Sequence, residues 1–210
     1  MQLLLAEDLA RAPVVPVIVI DRAGDAVPLA RTLVEAGLPL VEITLRTPAA
    51  PAAIAAVAEA VPEAVVGAGS VLGPADVALA REAGARFAVS PGATPALLAA
   101  AEAEGLPLLP GAATASEVMA LLERGFRHLK FFPAVPAGGP AALAALAGPL
   151  PLARFVPTGG IDAEGAAEWL ALPNVVAVGG SWIAPRAAIR AGDWALIGER
   201  ARAAAALVRR

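Results

Sequence analysis

Of the sixteen lysine and arginine residues in this chain only one is lysine, Lys130, and it stands in the apolar run His128-Leu129-Lys130-Phe131-Phe132-Pro133. Arginine stays protonated under any relevant condition, whereas a desolvated lysine near other cations can lose its proton and attack a carbonyl. Covalent imine chemistry is therefore the first expectation. It competes with a lysine that simply extends its ammonium to water from a strand end. Residues Val41 to Arg46 alternate strictly, so a strand there sends Glu42, Thr44 and Arg46 to one face and Val41, Ile43 and Leu45 to the other. The same parity puts His128, Lys130 and Phe132 together. If both polar faces look into one interior, Lys130 is placed to attack a 2-keto group, Glu42 to shuttle protons, and Arg46 to hold a carboxylate by paired hydrogen bonds. A Glu42–Arg46 ion pair filling that interior is the competing reading of the second strand.

Further signals come from glycines. Thr158-Gly159-Gly160 and Gly179-Gly180-Ser181 each resemble a tight turn when taken alone. As a pair closing the last two strands they predict a phosphate site built from backbone N–H groups. Gly67-Ala68-Gly69-Ser70 ends another strand and could bring backbone and a hydroxyl to substrate, but it lacks the helix-opening dinucleotide pattern. His128 lies nearer the start of its strand and reads as structural. Trp169, Trp182 and Trp194 read as helix packing, with Trp182 close enough to Ser181 to border the phosphate site.

Positioning these residues requires many short strands. Apolar runs recur at 14–20, 40–46, 64–71, 87–91, 107–112, 128–134, 154–160 and 175–182. Alanine-rich segments of helical spacing separate them: 26–36, 51–60, 74–83, 95–104 and 116–123. Prolines near first turns, Asp25 and Ser116 mark helix starts, while Gly37, Gly84, Gly105 and Gly125 mark helix ends. Eight βα units imply parallel strands, in either a closed (β/α)8 TIM barrel or an open doubly wound sheet. Polar or glycine-rich residues stand at the C-terminal ends of strands throughout the chain, rather than at one switch point, and this selects the barrel. The expectation is an α/β protein with one (β/α)8 barrel domain over residues 1–210 and a helix from residues 1–12 across the barrel's N-terminal end.

Composition narrows the partners. A net charge of −3 gives no basic field for nucleic acid, the arginines being scattered apart from Arg209-Arg210. With no cysteine and one histidine, a metal centre is not expected. The mean hydropathy of +0.70 raises the question of a membrane. Residues 131–153 are free of charge, yet Pro133, Pro136, Pro140, Pro149 and Pro151 would break any span. Glu7 and Asp8 follow the apolar start too closely for a signal peptide, so a cytoplasmic protein is expected.

The sequence closely resembles the 2-keto-3-deoxy-6-phosphogluconate (KDPG) and 4-hydroxy-2-oxoglutarate (KHG) aldolase family of class I, Schiff-base aldolases. Gly37-Leu38-Pro39-Leu40-Val41-Glu42-Ile43-Thr44-Leu45-Arg46 is similar to the family's proton-transfer segment, and Gly125 through Gly138 to its Schiff-base segment. Shorter similarities lie at Pro13–Ile18, Gly67–Val71, Ser90-Pro91-Gly92, Pro157–Ile161 and Gly179–Trp182. The resemblance implies Lys130 as the imine-forming residue and Glu42 as acid/base, with Arg46 and Ser70 on the pyruvate carboxylate. Thr158, Gly159, Gly160, Gly180 and Ser181 would form the far end of the site, and Thr44 and Phe132 join the substrate-binding set. It implies reversible cleavage of KDPG to pyruvate and glyceraldehyde 3-phosphate without metal or organic cofactor, in a homotrimer. Many relatives have threonine at the Ser70 position, and some carry a strand-1 arginine near Val19 that is absent here, leaving fewer charges for phosphate. KHG cleavage, a phosphate-binding barrel isomerase or decarboxylase, and a non-catalytic sugar-phosphate-binding module stay open as alternatives.

Overall fold

The computed structural model describes residues 2–208; Arg209 and Arg210, the basic pair noted above, lie outside the described residues. The strands are β1 (Val14–Ile18), β2 (Leu40–Thr44), β3 (Val65–Gly69), β4 (Phe87–Val89), β5 (Leu108–Leu109), β6 (Gly111–Ala112), β7 (His128–Phe131), β8 (Arg154–Pro157) and β9 (Val178–Gly180). The α-helices are α1 (Gln2–Leu9), α2 (Ala26–Glu35), α3 (Ala50–Ala60), α4 (Pro74–Glu82), α5 (Pro95–Ala103), α6 (Ala115–Glu123), α7 (Gly139–Ala145), α8 (Ala166–Leu170), α9 (Arg186–Ala191) and α10 (Trp194–Ala205). The fold is α/β, with a curled six-stranded sheet in the order β5-β4-β3-β2-β1-β9 and a second sheet β6-β7-β8. Each strand pair is parallel.

The strand expected over 107–112 is divided. Pro110 has no N–H for a ladder, so β5 joins β4 while β6 joins β7, and the Pro110 carbonyl accepts from the Lys130 N–H at 2.9 Å. At the opposite margin, isolated parallel bridges pair Phe155 with Val175 and Thr158 with Gly179. Observed strands also stop short of the expected ones at their C-terminal ends. Leu45 and Arg46 lie beyond β2, and Ser70, at φ 57°, turns the chain out of β3. Ser116 is not the start of its helix. Thr114 caps α6 two residues earlier, in a reciprocal pair with Glu117.

Strand parity sorts the core into two clusters. On the interior face, Leu5 and Leu9 of α1 meet Val15, Leu40, Val65, Phe87, Val89 and other inward apolar side chains. The N-terminal helix thus seals the N-terminal end of the strands, as expected, although it ends at Leu9. The outer cluster joins helices to the opposite face of the strands and holds Val41, Ile43, Leu129, Phe131 and Phe155. Phe131 meets Phe155 edge to face at 6.3 Å between ring centres and Trp169 of α8 at 6.4 Å. Among the described residues no helix is long and apolar enough to cross a membrane.

Phe131 neighbours Lys130 in sequence but faces the helices, so this aromatic contact fixes β7 from behind. Phe155→Ala, at a fully buried position, should reduce unfolding free energy by about 3–5 kcal/mol in a denaturant titration. A loss below about 1 kcal/mol would show that the cluster does not hold β7.

Candidate active site

Lys130 and Glu42 face each other from β7 and β2. The Lys130 Nζ lies 3.5 Å from Glu42 Oε1, and each side chain is 4% exposed. The lysine therefore does not extend to water, and Glu42 pairs with it rather than with Arg46. Glu42 Oε1 is buried and makes no hydrogen bond among the described residues. A buried ion pair repays desolvation only with good geometry and further hydrogen bonds, so an incompletely satisfied one is a poor structural fastening. The Phe132 ring centre lies 5.3 Å from Nζ and supplies an aromatic wall.

The remaining second-strand residues divide. Thr44 is fully buried, and its hydroxyl donates to the Ile18 carbonyl at 2.8 Å, tying β2 to β1. Arg46 is exposed, and its Nε donates to Ser70 Oγ at 2.8 Å. Among the described residues its terminal nitrogens make no hydrogen bond to protein, leaving a two-pronged donor for a carboxylate. Ser70 adopts a left-handed conformation uncommon outside glycine, costing about 1–2 kcal/mol, and it does so where its hydroxyl meets Arg46.

Gly179 and Gly180, expected as a turn closing the last strand, lie within β9 in register with Val15 and Pro16 of β1. The Thr158-Gly159-Gly160 turn after β8 adjoins them through the Thr158–Gly179 bridge, and a Cβ on Gly179 would collide with Thr158 Oγ1. Gly159 and Gly160 have φ of 106° and 82°, where a side chain is strained, and a Cβ on Gly160 would come within 2.9 Å of Val135. The loop after β7 lies along this turn, with Ala134 N donating to Thr158 O at 2.9 Å and Val135 N to Gly159 O at 3.0 Å. Gly180 is buried with Trp182 covering the place of its missing Cβ, while Ser181 is exposed.

Two features escaped the sequence reading. Asp21, just past β1, receives Arg186 and Arg190 of α9, the latter at 2.6 Å, and these cations hold its carboxyl well below the usual range. Arg22 adds a hydrogen bond to the Arg190 carbonyl at 2.9 Å. No local pattern signals partners 165 residues apart. The second feature is Gly69, where a Cβ would overlap Glu42 Oε1. Its signal was available: Gly67 and Gly69, two apart on one strand, leave the inward face of β3 bare. Surface cavities of about 280 Å³ beside Arg81 and Phe87 and about 240 Å³ beside Leu98 and Arg124 are lined by neither Lys130 nor Glu42.

A buried amine and carboxylate facing each other across parallel strands are the equipment of an imine-forming lyase. Comparison with known proteins agrees. The sequence profile of KDPG and KHG aldolases matches residues 5–200. The chain is 50% identical over 196 residues to the KHG/KDPG aldolase of Escherichia coli K12, covering 93% of this chain and 92% of that one. It is 48% identical over 198 residues to the 2-dehydro-3-deoxy-phosphogluconate aldolase of Dickeya dadantii, covering 94% and 93%. The structure of Legionella pneumophila KDPG aldolase, with pyruvate captured at low pH as a covalent carbinolamine intermediate, superposes with a TM-score of 0.93 at 45% identity, covering 96% of this chain and 98% of that one. The chain belongs to the KDPG and KHG aldolase family and is a carbon–carbon lyase.

His128 begins β7 opposite Arg154 of β8 and is half-buried. Burial first, and the Arg154 charge second, push its imidazole below the usual range. The unfolded chain then takes up this proton before the folded one. The stability contribution is complete above about pH 6.5 and is lost as pH falls through that value towards the folded pKa. Melting temperatures between about pH 7.5 and 5 should therefore fall less for His128→Gln than for the parent. Parallel curves would remove His128 as a source of acid sensitivity.

Proposed function

We propose that this chain reversibly cleaves KDPG to pyruvate and glyceraldehyde 3-phosphate through an imine on Lys130. The observation that carries the reading is the burial of the sole lysine 3.5 Å from the Glu42 carboxylate. As the neutral amine, Lys130 adds to the C2 carbonyl, and the carbinolamine loses water to give an iminium. Glu42 supplies and removes the protons of these steps. It then takes the proton of the C4 hydroxyl as the C3–C4 bond breaks. The bonding electron pair moves into the iminium as an enamine, and the aldehyde departs. Protonation at C3 and hydrolysis release pyruvate and restore the amine.

Arg46, oriented by Ser70, holds the substrate carboxylate with its terminal nitrogens. Phe132 and Thr44 border the pyruvate half. Thr158, Gly159, Gly160, Gly180 and Ser181 take the phosphate end; the Gly159-Gly160 turn beside the C-terminal end of β9 supports this, because bare backbone allows close approach of an anion. No step requires a metal or organic cofactor. Residues 1–210 form one domain in this reading, with the two sheets closing as an eight-stranded barrel through the Pro110 crossover and the Phe155–Val175 and Thr158–Gly179 bridges. The enzyme acts as a cytoplasmic homotrimer, for which exposed Leu72, Met119 and Leu152 offer apolar surface.

Purified enzyme should cleave the phosphorylated substrate with kcat/KM about tenfold or more above its unphosphorylated analogue, since charge-assisted hydrogen bonds contribute roughly 1.5–3 kcal/mol each. Chelation should not alter the rate, and light scattering of the same sample should give three times the chain mass. Equal rates on both substrates would remove the phosphate end of the site, and a preference for KHG would move the enzyme to the family's other reaction; either leaves the imine mechanism standing. Dependence on an added divalent ion would contradict the mechanism.

A further inference from the structure

The interior face of β3 carries Gly67 and Gly69, and a neighbour from each side leans across it. β3 pairs Gly67 with Phe87 of β4 and Gly69 with Thr44 of β2. A Cβ on Gly67 would run into the Phe87 ring, whereas a Cβ on Gly69 would run into Oε1, Cγ and Cδ of Glu42. The Gly69 backbone itself does not require glycine, because its φ lies outside the left-handed region. What excludes a side chain is the room that the Glu42 carboxylate occupies. Oε1 is also the atom that faces Lys130 at 3.5 Å, and it makes no hydrogen bond among the described residues. No hydrogen bond from the described residues holds this oxygen, and the wall behind it has room for the carboxylate only because Gly69 carries no Cβ.

We propose that Gly69 is a positioning residue for the acid/base: its bare Cα forms the slot in which the Glu42 carboxylate lies, and a methyl group there displaces Oε1 from Lys130. This rests on the reading of Glu42 as the proton carrier. Gly67 is the matching case without chemistry, since the group it accommodates is an apolar ring packed among Leu40, Val65 and Leu109. Displacement of a reacting group by about 1 Å can cost about 10²-fold in rate. Gly69→Ala should thus lower kcat by about 10- to 100-fold, with KM changed by less than about threefold. It should also lower the melting temperature, because an inserted methyl overpacks the interior.

A double-mutant cycle with Glu42→Ala separates positioning from general damage. With the carboxylate removed the slot is empty, so Gly69→Ala should cause no loss of melting temperature and no further loss of residual activity. Should Gly69→Ala alone fail to fold, recovery of a folded protein in the Glu42→Ala/Gly69→Ala pair supports the proposal, and continued failure overturns it. Wild-type turnover by Gly69→Ala beside an inactive Glu42→Gln overturns the slot while leaving the acid/base assignment standing. Full activity of Glu42→Gln overturns both.

Discussion

The buried pair of Lys130 and Glu42 is the constraint to which the rest of the structure answers. Two opposite charges removed from water gain from each other only if their geometry is good and their remaining hydrogen-bonding capacity is met. Here the contact is 3.5 Å and one carboxylate oxygen has no hydrogen-bond partner among the described residues. Stability alone would favour apolar residues at both positions. An amine and a carboxylate kept this close and this buried suit a site where substrate atoms enter between them and exchange protons with them.

The fold meets that demand by sealing one end and smoothing one wall. Leu5 and Leu9 close the interior at the N-terminal end, where Val15, Leu40, Val65 and Phe87 fill the space. Above them the strands present glycine where bulk is unwelcome, with Gly69 receiving Glu42 and Gly179 receiving Thr158. From behind, Phe131 and Phe155 lock β7 and β8 to the helices. Arg46 stands at the exposed end of the same β2 row, held by Ser70. The interior therefore grades from apolar to ionic to solvent-accessible along the strands.

Much of this was legible because strands alternate with period two. Parity, with a barrel to say which face is inside, assigns Glu42 and Lys130 to the interior and Val41 and Ile43 to the helices, whereas Phe131, which adjacency to Lys130 suggests as an apolar wall of the site, packs outward against Phe155 and Trp169. It was less informative at strand ends, where Arg46 and Ser70 continue the pattern of residue types but not the extended backbone. Pro110 hid its effect inside an apolar run, since hydrophobicity says nothing of a missing N–H. Ser116 and Thr114 are both cap-type residues by composition, and it is the reciprocal pair with Glu117 that makes Thr114 the cap. The Asp21 clamp to Arg186 and Arg190 joins the end of β1 to α9 and depends on chain closure in space.

The central claim is that Lys130 becomes covalently bonded to the keto acid, and a single lysine makes this directly measurable. The enzyme is incubated with pyruvate, reduced with borohydride, and analysed by intact mass and peptide mapping. The account predicts one reduced pyruvate adduct per chain, located on Lys130, with the α-amino terminus as the only competing amine. Active enzyme that remains unmodified at Lys130 after this treatment would contradict it.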